Sequence, residues 1–189
     1  MDSHGSHCQA IAFTLSLLLL FHSPFPSNAA TKRVEGVCKQ AVDYASSNPG
    51  TVSYANCLEA FESDSRARYA SNFKDLTTIA LGLAVTNATE SQAYIDGLLE
   101  RSHTAAIERC SSWYEGVVAR FQSARDELDE DFVCANIDVK VAGDYASNCE
   151  NELVSAGVKV AAISTRNNYV HLYSSIAFVI TKDLSYLLY

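Results

Sequence analysis

Apolar residues recur at alternating steps of three and four along much of this chain, and this spacing constrains the fold more than any other feature. Such steps place side chains on one face of an α-helix, whereas a half-buried strand would show steps of two. The spacing therefore predicts an amphipathic helix wherever it persists. The two clearest series are Ile107, Cys110, Tyr114, Val117, Phe121, Ala124 and Leu128, and Ala135, Val139, Ala142, Ala146, Cys149 and Leu153.

Two further segments show the same spacing less regularly, one before these series and one after them. Ser164 and Thr165 precede the later segment and are residue types that cap helix N termini. Because no strand pattern separates the four segments, and each apolar stripe must be buried on another, the sequence predicts an all-α fold, an antiparallel four-helix bundle. The apolar positions are Phe73, Leu76, Ala80, Leu83, Ile95, Leu98 and Leu99, and then Tyr169, Tyr173, Ile176, Ile180 and Leu184.

The N-terminal part of the chain carries two other signals. Residues 11–21 are an uncharged apolar run that is too short to span a bilayer and typical of a signal peptide, although no Lys or Arg precedes it. Small residues follow, so we expect cleavage after Ala29, a mature domain of residues 30–189 and secretion. Within that domain, residues 36–47 and 52–61 are expected to form a helical hairpin around the turn Asn48-Pro49-Gly50.

Charge and motif content exclude several classes of function. The chain has 22 acidic and 14 basic residues, a formal net charge of −8, which is opposite in sign to a nucleic-acid-binding surface. The last apolar stretch is interrupted by Lys182 and Asp183, so no membrane span is expected. His103 and His171, taken as solvated surface residues, belong to no catalytic or metal-binding motif. We therefore expect no enzyme activity, cofactor or metal.

The cysteines fit a helical bundle in an oxidising compartment. Cys110 and Cys149 both lie on the apolar stripe of their own helix, so a disulfide between them needs no change of face. Cys38 and Cys57 flank the predicted turn, where a disulfide would close the hairpin. Unpaired buried thiols are the alternative for these residues. Cys134 is left over, either as a half-buried inert thiol or as the link of a covalent dimer.

Four segments of the chain form a distinctive combination: the hairpin between Cys38 and Cys57, Cys110-Ser-Ser-Trp-Tyr114, Asp131-Phe132-Val-Cys-Ala135-Asn136 leading to Cys149, and Thr165-Arg-Asn-Asn168. Together they resemble the plant invertase/pectin methylesterase inhibitor domain, especially the pollen-type members, some of which are allergens. The resemblance implies the disulfides Cys38–Cys57 and Cys110–Cys149 and a bundle extended by a helical hairpin. It also implies a secreted inhibitor of the plant cell wall that covers the substrate cleft of a carbohydrate-active enzyme, acid invertase or pectin methylesterase.

One departure from the family concerns the segment between the second and third bundle helices. Members that inhibit invertase carry Pro-Lys-Phe there, whereas this chain has Glu130-Asp131-Phe132, our candidate partner-binding loop. An acid in place of the Lys would be repelled by the carboxylates of a glycosidase pocket unless one group were protonated. The acidic run of residues 126–131 would instead suit a basic partner such as pectin methylesterase. Asp129 or Asp131 could equally cap the following helix.

Two expectations remain open at this stage. Asn87 begins the sequon Asn87-Ala88-Thr89 and is a possible N-glycosylation site, although its spacing from Leu83 also allows it to face the bundle seam. The alternative to inhibition is a non-inhibitory secreted helical protein, structural or ligand-carrying. A ligand carrier would need an internal apolar cavity. The inhibitor is expected to be a monomer or a Cys134-linked dimer.

Overall fold

The computed structural model describes residues 28–47 and 52–186, and these residues form helices and connecting turns without a strand. The predicted all-α class is therefore confirmed. The predicted signal peptide, apart from its last two residues, and the turn Asn48-Pro49-Gly50 lie outside the described residues. The helices are α1 (Asn28–Tyr44), α2 (Tyr54–Glu62), α3 (Phe73–Arg101), α4 (Ala105–Asp126), α5 (Phe132–Ser155) and α6 (Ala161–Tyr186), with 3-10 turns at Ala45–Ser47, Ser65–Tyr69 and Glu127–Asp129.

Helices α3 to α6 form the four-helix bundle. Helix α4 packs on α3 and α5, and α6 packs on α5 and α3, so that α3 lies diagonally opposite α5. The connections between successive helices are short, which makes neighbours antiparallel. Every residue of the two clearest apolar series is buried; the first series runs along α4 into the 3-10 turn after it, and the second lies on α5. Those two predicted stripes are confirmed.

Helix α3 follows the predicted seam only in part: Leu76, Ala80 and Ile95 are buried as predicted, whereas the other predicted positions are half-buried. Leu83 is only half-buried, whereas Ala84 and Ala88 are fully buried one step further round the helix. Leu83 carries a stronger hydrophobic signal than Ala84 or Ala88, so apolar spacing alone favours the wrong face at this point of the helix. Small side chains at these positions let α3 approach α4 and α6 closely, so close packing decides the face.

Helix α6 begins at Ala161, and the predicted cap at Ser164 and Thr165 is wrong. The Ser164 hydroxyl donates to the Glu150 carboxylate at 2.9 Å instead. Tyr169, predicted on the seam, is 45% exposed. The middle of α6 is nevertheless buried on several faces, because α1 packs against it from outside the bundle.

The contact between α5 and α6 depends on a glycine. A Cβ atom added at Gly143 would lie 2.8 Å from the Ser174 hydroxyl oxygen and 3.3 Å from its Cβ. That hydroxyl is buried and donates to the Val139 carbonyl oxygen at 2.7 Å. A larger residue at position 143 would therefore push the two helices apart.

Two disulfides join neighbouring helices. Cys38 bonds to Cys57 and links α1 to α2, and Cys110 bonds to Cys149 and links α4 to α5. These are the pairs that the family resemblance implies. All four cysteines are fully buried. The second disulfide lies near the start of α4 and the end of α5, at the opposite end of this helix pair from their connection.

A candidate partner-binding tip between α4 and α5

The connection between α4 and α5, residues 127–132, is the candidate site, and we call it the tip. Its first residues form a 3-10 turn, and the Glu127 carbonyl oxygen accepts the backbone N–H groups of Glu130 at 3.0 Å and Asp131 at 2.8 Å. Leu128 is buried beneath the turn. The Lys74 ammonium of α3 pairs with the Asp129 carboxylate. The tip is therefore held by its own backbone, by the core and by a neighbouring helix.

Asp131 is the N-cap of α5. Its Oδ1 accepts the N–H groups of Val133 at 2.8 Å and Cys134 at 3.1 Å. These hydrogen bonds hold the pKa of the Asp131 carboxyl below its usual range. The capping role that the sequence allowed for Asp131 is confirmed. Its carboxylate is consequently engaged within the protein and contributes less to a partner contact than an unattached acid would.

The other two residues of the candidate loop are better placed to meet a partner. The Glu130 side chain is exposed, and its carboxylate has no hydrogen bond or ion pair within the described ranges. Phe132 is half-buried, with part of its ring packed against the core. The tip thus offers a charged group beside an anchored aromatic ring, on a backbone that is already ordered.

Cys134 is the third residue of α5, in its first turn, and is exposed as a free thiol. The half-buried position expected from the sequence is therefore wrong. The hydrogen bond to Asp131 and the negative charge of that residue raise the pKa of the Cys134 thiol. Because the thiolate is the reactive form, the thiol is less reactive than its exposure suggests. A Cys134-linked dimer remains a prediction.

Further along α4 and α5 from the tip lies an aromatic and ionic side-chain cluster, Trp113, Arg120, Asp138 and Tyr145, which the sequence did not indicate as a site. Trp113 and Tyr145 pack with ring centroids 5.4 Å apart, and the Arg120 guanidinium donates to the buried Asp138 carboxylate at 2.8 Å. Gly116 makes room for the Tyr145 ring, since an added Cβ would approach it to 2.5 Å. Trp, Tyr and Arg are the residues most enriched at energetic centres of protein interfaces.

The two histidines of the described residues lie in different environments, and neither belongs to a metal-binding group there. No group of three or more His, Cys, Asp or Glu side chains there could hold a metal ion. His103 is exposed, as expected. His171 is not the solvated residue that we expected: it is half-buried near the Ser147 hydroxyl at 3.4 Å, and burial lowers its pKa.

Asn87 is the possible N-glycosylation site. Asn87 is half-buried, and its Oδ1 is buried without a hydrogen-bond partner among described residues, so glycosylation there remains a prediction.

A cleft of about 560 Å³ lies between α1, α2 and the following turn, and Phe61, Glu35 and Glu62 are among the residues that line it. Asp64 and one cation, Arg68, also line the cleft, so the acids outnumber the bases and the net charge disfavours a fatty-acid anion. Among the described helices, none is long and apolar enough to cross a membrane.

Comparison with known proteins adds three findings. Residues 32–180 match the family model described as "Plant invertase/pectin methylesterase inhibitor". A protein of Platanus acerifolia named "Putative invertase inhibitor" is 26% identical over 178 residues, which cover 91% of this chain and 94% of that protein. The Arabidopsis thaliana protein "Cell wall / vacuolar inhibitor of fructosidase 2" is 27% identical over 151 residues, which cover 75% of this chain and 78% of that protein.

The fold comparison agrees with the arrangement of helices described above. A crystal structure of a mutant form of a pectin methylesterase inhibitor from Arabidopsis superimposes with a TM-score of 0.65 at 17% identity. The match covers 79% of this chain and 95% of that one. At this identity the likeness concerns the fold alone.

Proposed function

Because this chain belongs to the plant invertase/pectin methylesterase inhibitor family, we propose that it is a secreted protein that inhibits a plant carbohydrate-active enzyme by covering its substrate cleft. The family consists of enzyme inhibitors rather than enzymes. The observation that carries the proposal is the family match over nearly the whole described chain. The exposed, internally hydrogen-bonded tip supports it, because a pre-ordered segment loses little conformational entropy when it binds.

Acid invertase is the first candidate target. The relatives that match along most of this chain are named for invertase or fructosidase inhibition. In this proposal Phe132 anchors the contact and Glu130 lies at the cleft entrance. Inhibition is steric, with no bond made or broken. Acid conditions favour it, because protonation relieves repulsion between Glu130 and the carboxylates of a glycosidase cleft.

Pectin methylesterase is the second candidate, favoured by the charge of the tip. Glu130 and the exposed acids before it would attract a basic enzyme surface. Removal of residues 1–29 takes away only Asp2 among the charged residues, and the remaining net charge of 14 − 21 = −7 adds to that attraction at long range. The side-chain cluster on α4 and α5 that contains Trp113 and Arg120 extends the surface available to either enzyme. Salt would weaken this electrostatic contribution more than it weakens the Phe132 contact.

The proposal also covers processing and location. Residues 1–29 are a signal peptide that is removed when the protein is exported to the cell wall, leaving residues 30–189 as the inhibitor domain. N-terminal sequencing of the secreted protein would then give residue 30 first. Another N terminus in the secreted protein would contradict this boundary without affecting the proposed inhibition.

The primary test is a titration of the oxidised mature protein against purified acid invertase and pectin methylesterase, each at acidic and neutral pH. Stoichiometric loss of one activity is expected and would identify the target. Circular dichroism and a thiol assay confirm that the sample is helical and that only Cys134 is reduced. No inhibition of either enzyme by such a sample would contradict the proposed function.

Phe132→Ala is expected to weaken inhibition about tenfold, or roughly 1.4 kcal/mol, because the variant removes the aromatic anchor. The concentration that gives half-inhibition measures the effect. Val154→Ala is the matched control, since Val154 is a 69% exposed apolar residue near the far end of α5. Equal inhibition by Phe132→Ala and the unmodified protein, with unchanged thermal stability, would show that the Phe132 ring does not contact the enzyme.

Glu130→Lys distinguishes the two targets by the sign of its effect. Against acid invertase the variant should inhibit severalfold better, because a cation replaces an acid facing a carboxylate-lined cleft. Against a basic pectin methylesterase it should inhibit severalfold less well. Glu130 suits this test because its carboxylate is free, whereas changing Asp131 would also remove the α5 cap. An unchanged inhibition constant would place Glu130 outside the interface.

A further inference from the structure

Glu127, the first residue of the tip, has a carboxyl group in a poorly compensated position. Its Oε2 is buried and has no hydrogen-bond partner among the residues described. Its Oε1 receives a single long hydrogen bond, 3.4 Å from the Ser123 hydroxyl. Burial of an ionised oxygen without partners is costly, whereas a neutral carboxylic acid tolerates the same position far better. The packed position therefore favours the protonated form.

The charged groups around Glu127 act in the same direction on balance. From α5, Asp138 and Asp131 present negative charge, and from α4 only Arg120 opposes them. Arg120 is already paired with Asp138. Burial is the largest cause of the raised pKa of the Glu127 carboxyl, and the negative charges of Asp138 and Asp131 raise it further. On the α3 side the cation is Lys74, which pairs with Asp129 rather than with Glu127.

The backbone of the same residue holds the tip together. The Glu127 carbonyl oxygen is the acceptor for the N–H groups of both Glu130 and Asp131. Glu127 is half-buried, and the same residue carries the buried Oε2 and the carbonyl oxygen, so displacement of the packed carboxyl group would act directly on the turn that these two hydrogen bonds hold. The protonation state of one side chain is thereby coupled to the order of the proposed partner-binding residues.

We propose that Glu127 is a proton-operated lock on the tip. The neutral acid stays packed and keeps the tip closed, and the ionised carboxylate moves toward water and loosens it. An acid whose pKa is raised in the packed state contributes stability below its ordinary pKa, and this contribution is lost as pH rises through the raised value. The tip is therefore ordered in acidic surroundings and looser near neutrality.

Amide hydrogen exchange at Glu130 and Asp131, corrected for the intrinsic pH dependence, tests the lock. Between about pH 5 and about pH 7 the protection of these amides should fall severalfold, because the raised pKa of the Glu127 carboxyl moves the loss of its proton above the range of an ordinary glutamate. Glu127→Gln, a neutral mimic of the protonated acid, should keep its protection over the same range. Asp126→Asn is the matched control because it removes the neighbouring exposed charge, and it should behave like the unmodified protein.

A carboxyl NMR titration of the unmodified protein provides a second measurement that needs no variant. Glu127 should titrate above the range of the exposed glutamates. A midpoint at or below that range would overturn the proposal, and so would a Glu127→Gln variant whose protection falls with pH as in the unmodified protein. Neither measurement involves a target enzyme, so the lock and the proposed inhibition can fail separately.

Discussion

Replacement of Cys110 and Cys149 together by Ala is expected to lower the free energy of unfolding by about 4 kcal/mol. The disulfide closes a loop with a sequence separation of 39 residues, and its loss returns that loop's conformational entropy to the unfolded chain. For a domain of this size the melting temperature should fall by about 8 to 16 °C. Ala is preferred to Ser, since both positions are fully buried and a hydroxyl there would lack a partner.

The hairpin disulfide provides the matched control. The Cys38–Cys57 disulfide closes a loop with a sequence separation of 19 residues. Its replacement by two Ala residues should lower the free energy of unfolding by about 3 kcal/mol in the same loop-entropy model. Because this link joins α1 to α2 outside the bundle, the hairpin should fray while the bundle unfolds near its usual midpoint. Urea unfolding followed by circular dichroism measures both variants. An unchanged midpoint for the bundle variant would contradict the expectation.

Asn167→Ala should have the next largest effect, about 3 kcal/mol, because it breaks a buried polar network. Asn167 is 1% exposed, and its Oδ1 accepts the Tyr114 hydroxyl at 2.9 Å while its Nδ2 donates to the Glu150 carboxylate at 2.7 Å. The alanine leaves the fully buried Tyr114 hydroxyl without this acceptor and creates a small cavity.

The neighbouring Asn168, which is exposed, supplies a control of identical chemistry. Asn168→Ala should change the free energy of unfolding by less than about 0.5 kcal/mol. Tyr114→Phe should cost less than Asn167→Ala, since it deletes one hydroxyl and leaves the amide bound to Glu150. If Asn167→Ala and Asn168→Ala unfold at the same urea concentration, the network does not stabilise the bundle.

The sequence predicts the fold well where the seam consists of large residues and less well where it does not. On α4, Tyr114 and Phe121 mark the buried face without ambiguity. On α3, the buried positions Ala84 and Ala88 carry little hydrophobic signal, because their role is to allow close approach. The start of α6 was misplaced because Ser164, a residue type that favours N-caps, instead donates to Glu150 on another helix.

Part of the candidate site can likewise be predicted from the sequence and part of it cannot. The acidic run and the family resemblance indicated the position of the tip, and local residue preference allowed Asp131 as its cap. The buried Oε2 of Glu127 and the Arg120–Asp138 pair could not be predicted, because they depend on how α4 and α5 are rotated against each other. That rotation follows from packing across the whole bundle, including the space left by Gly116.

The position of the Cys110–Cys149 disulfide also determines how the protein would respond to proteolysis. The tip connects α4 and α5 at one end and the disulfide joins them at the other, so the two helices form a covalent ring. A protease that cuts one peptide bond in the tip opens this ring without releasing a fragment. The nicked protein would migrate as a single species until a reductant separates its two parts.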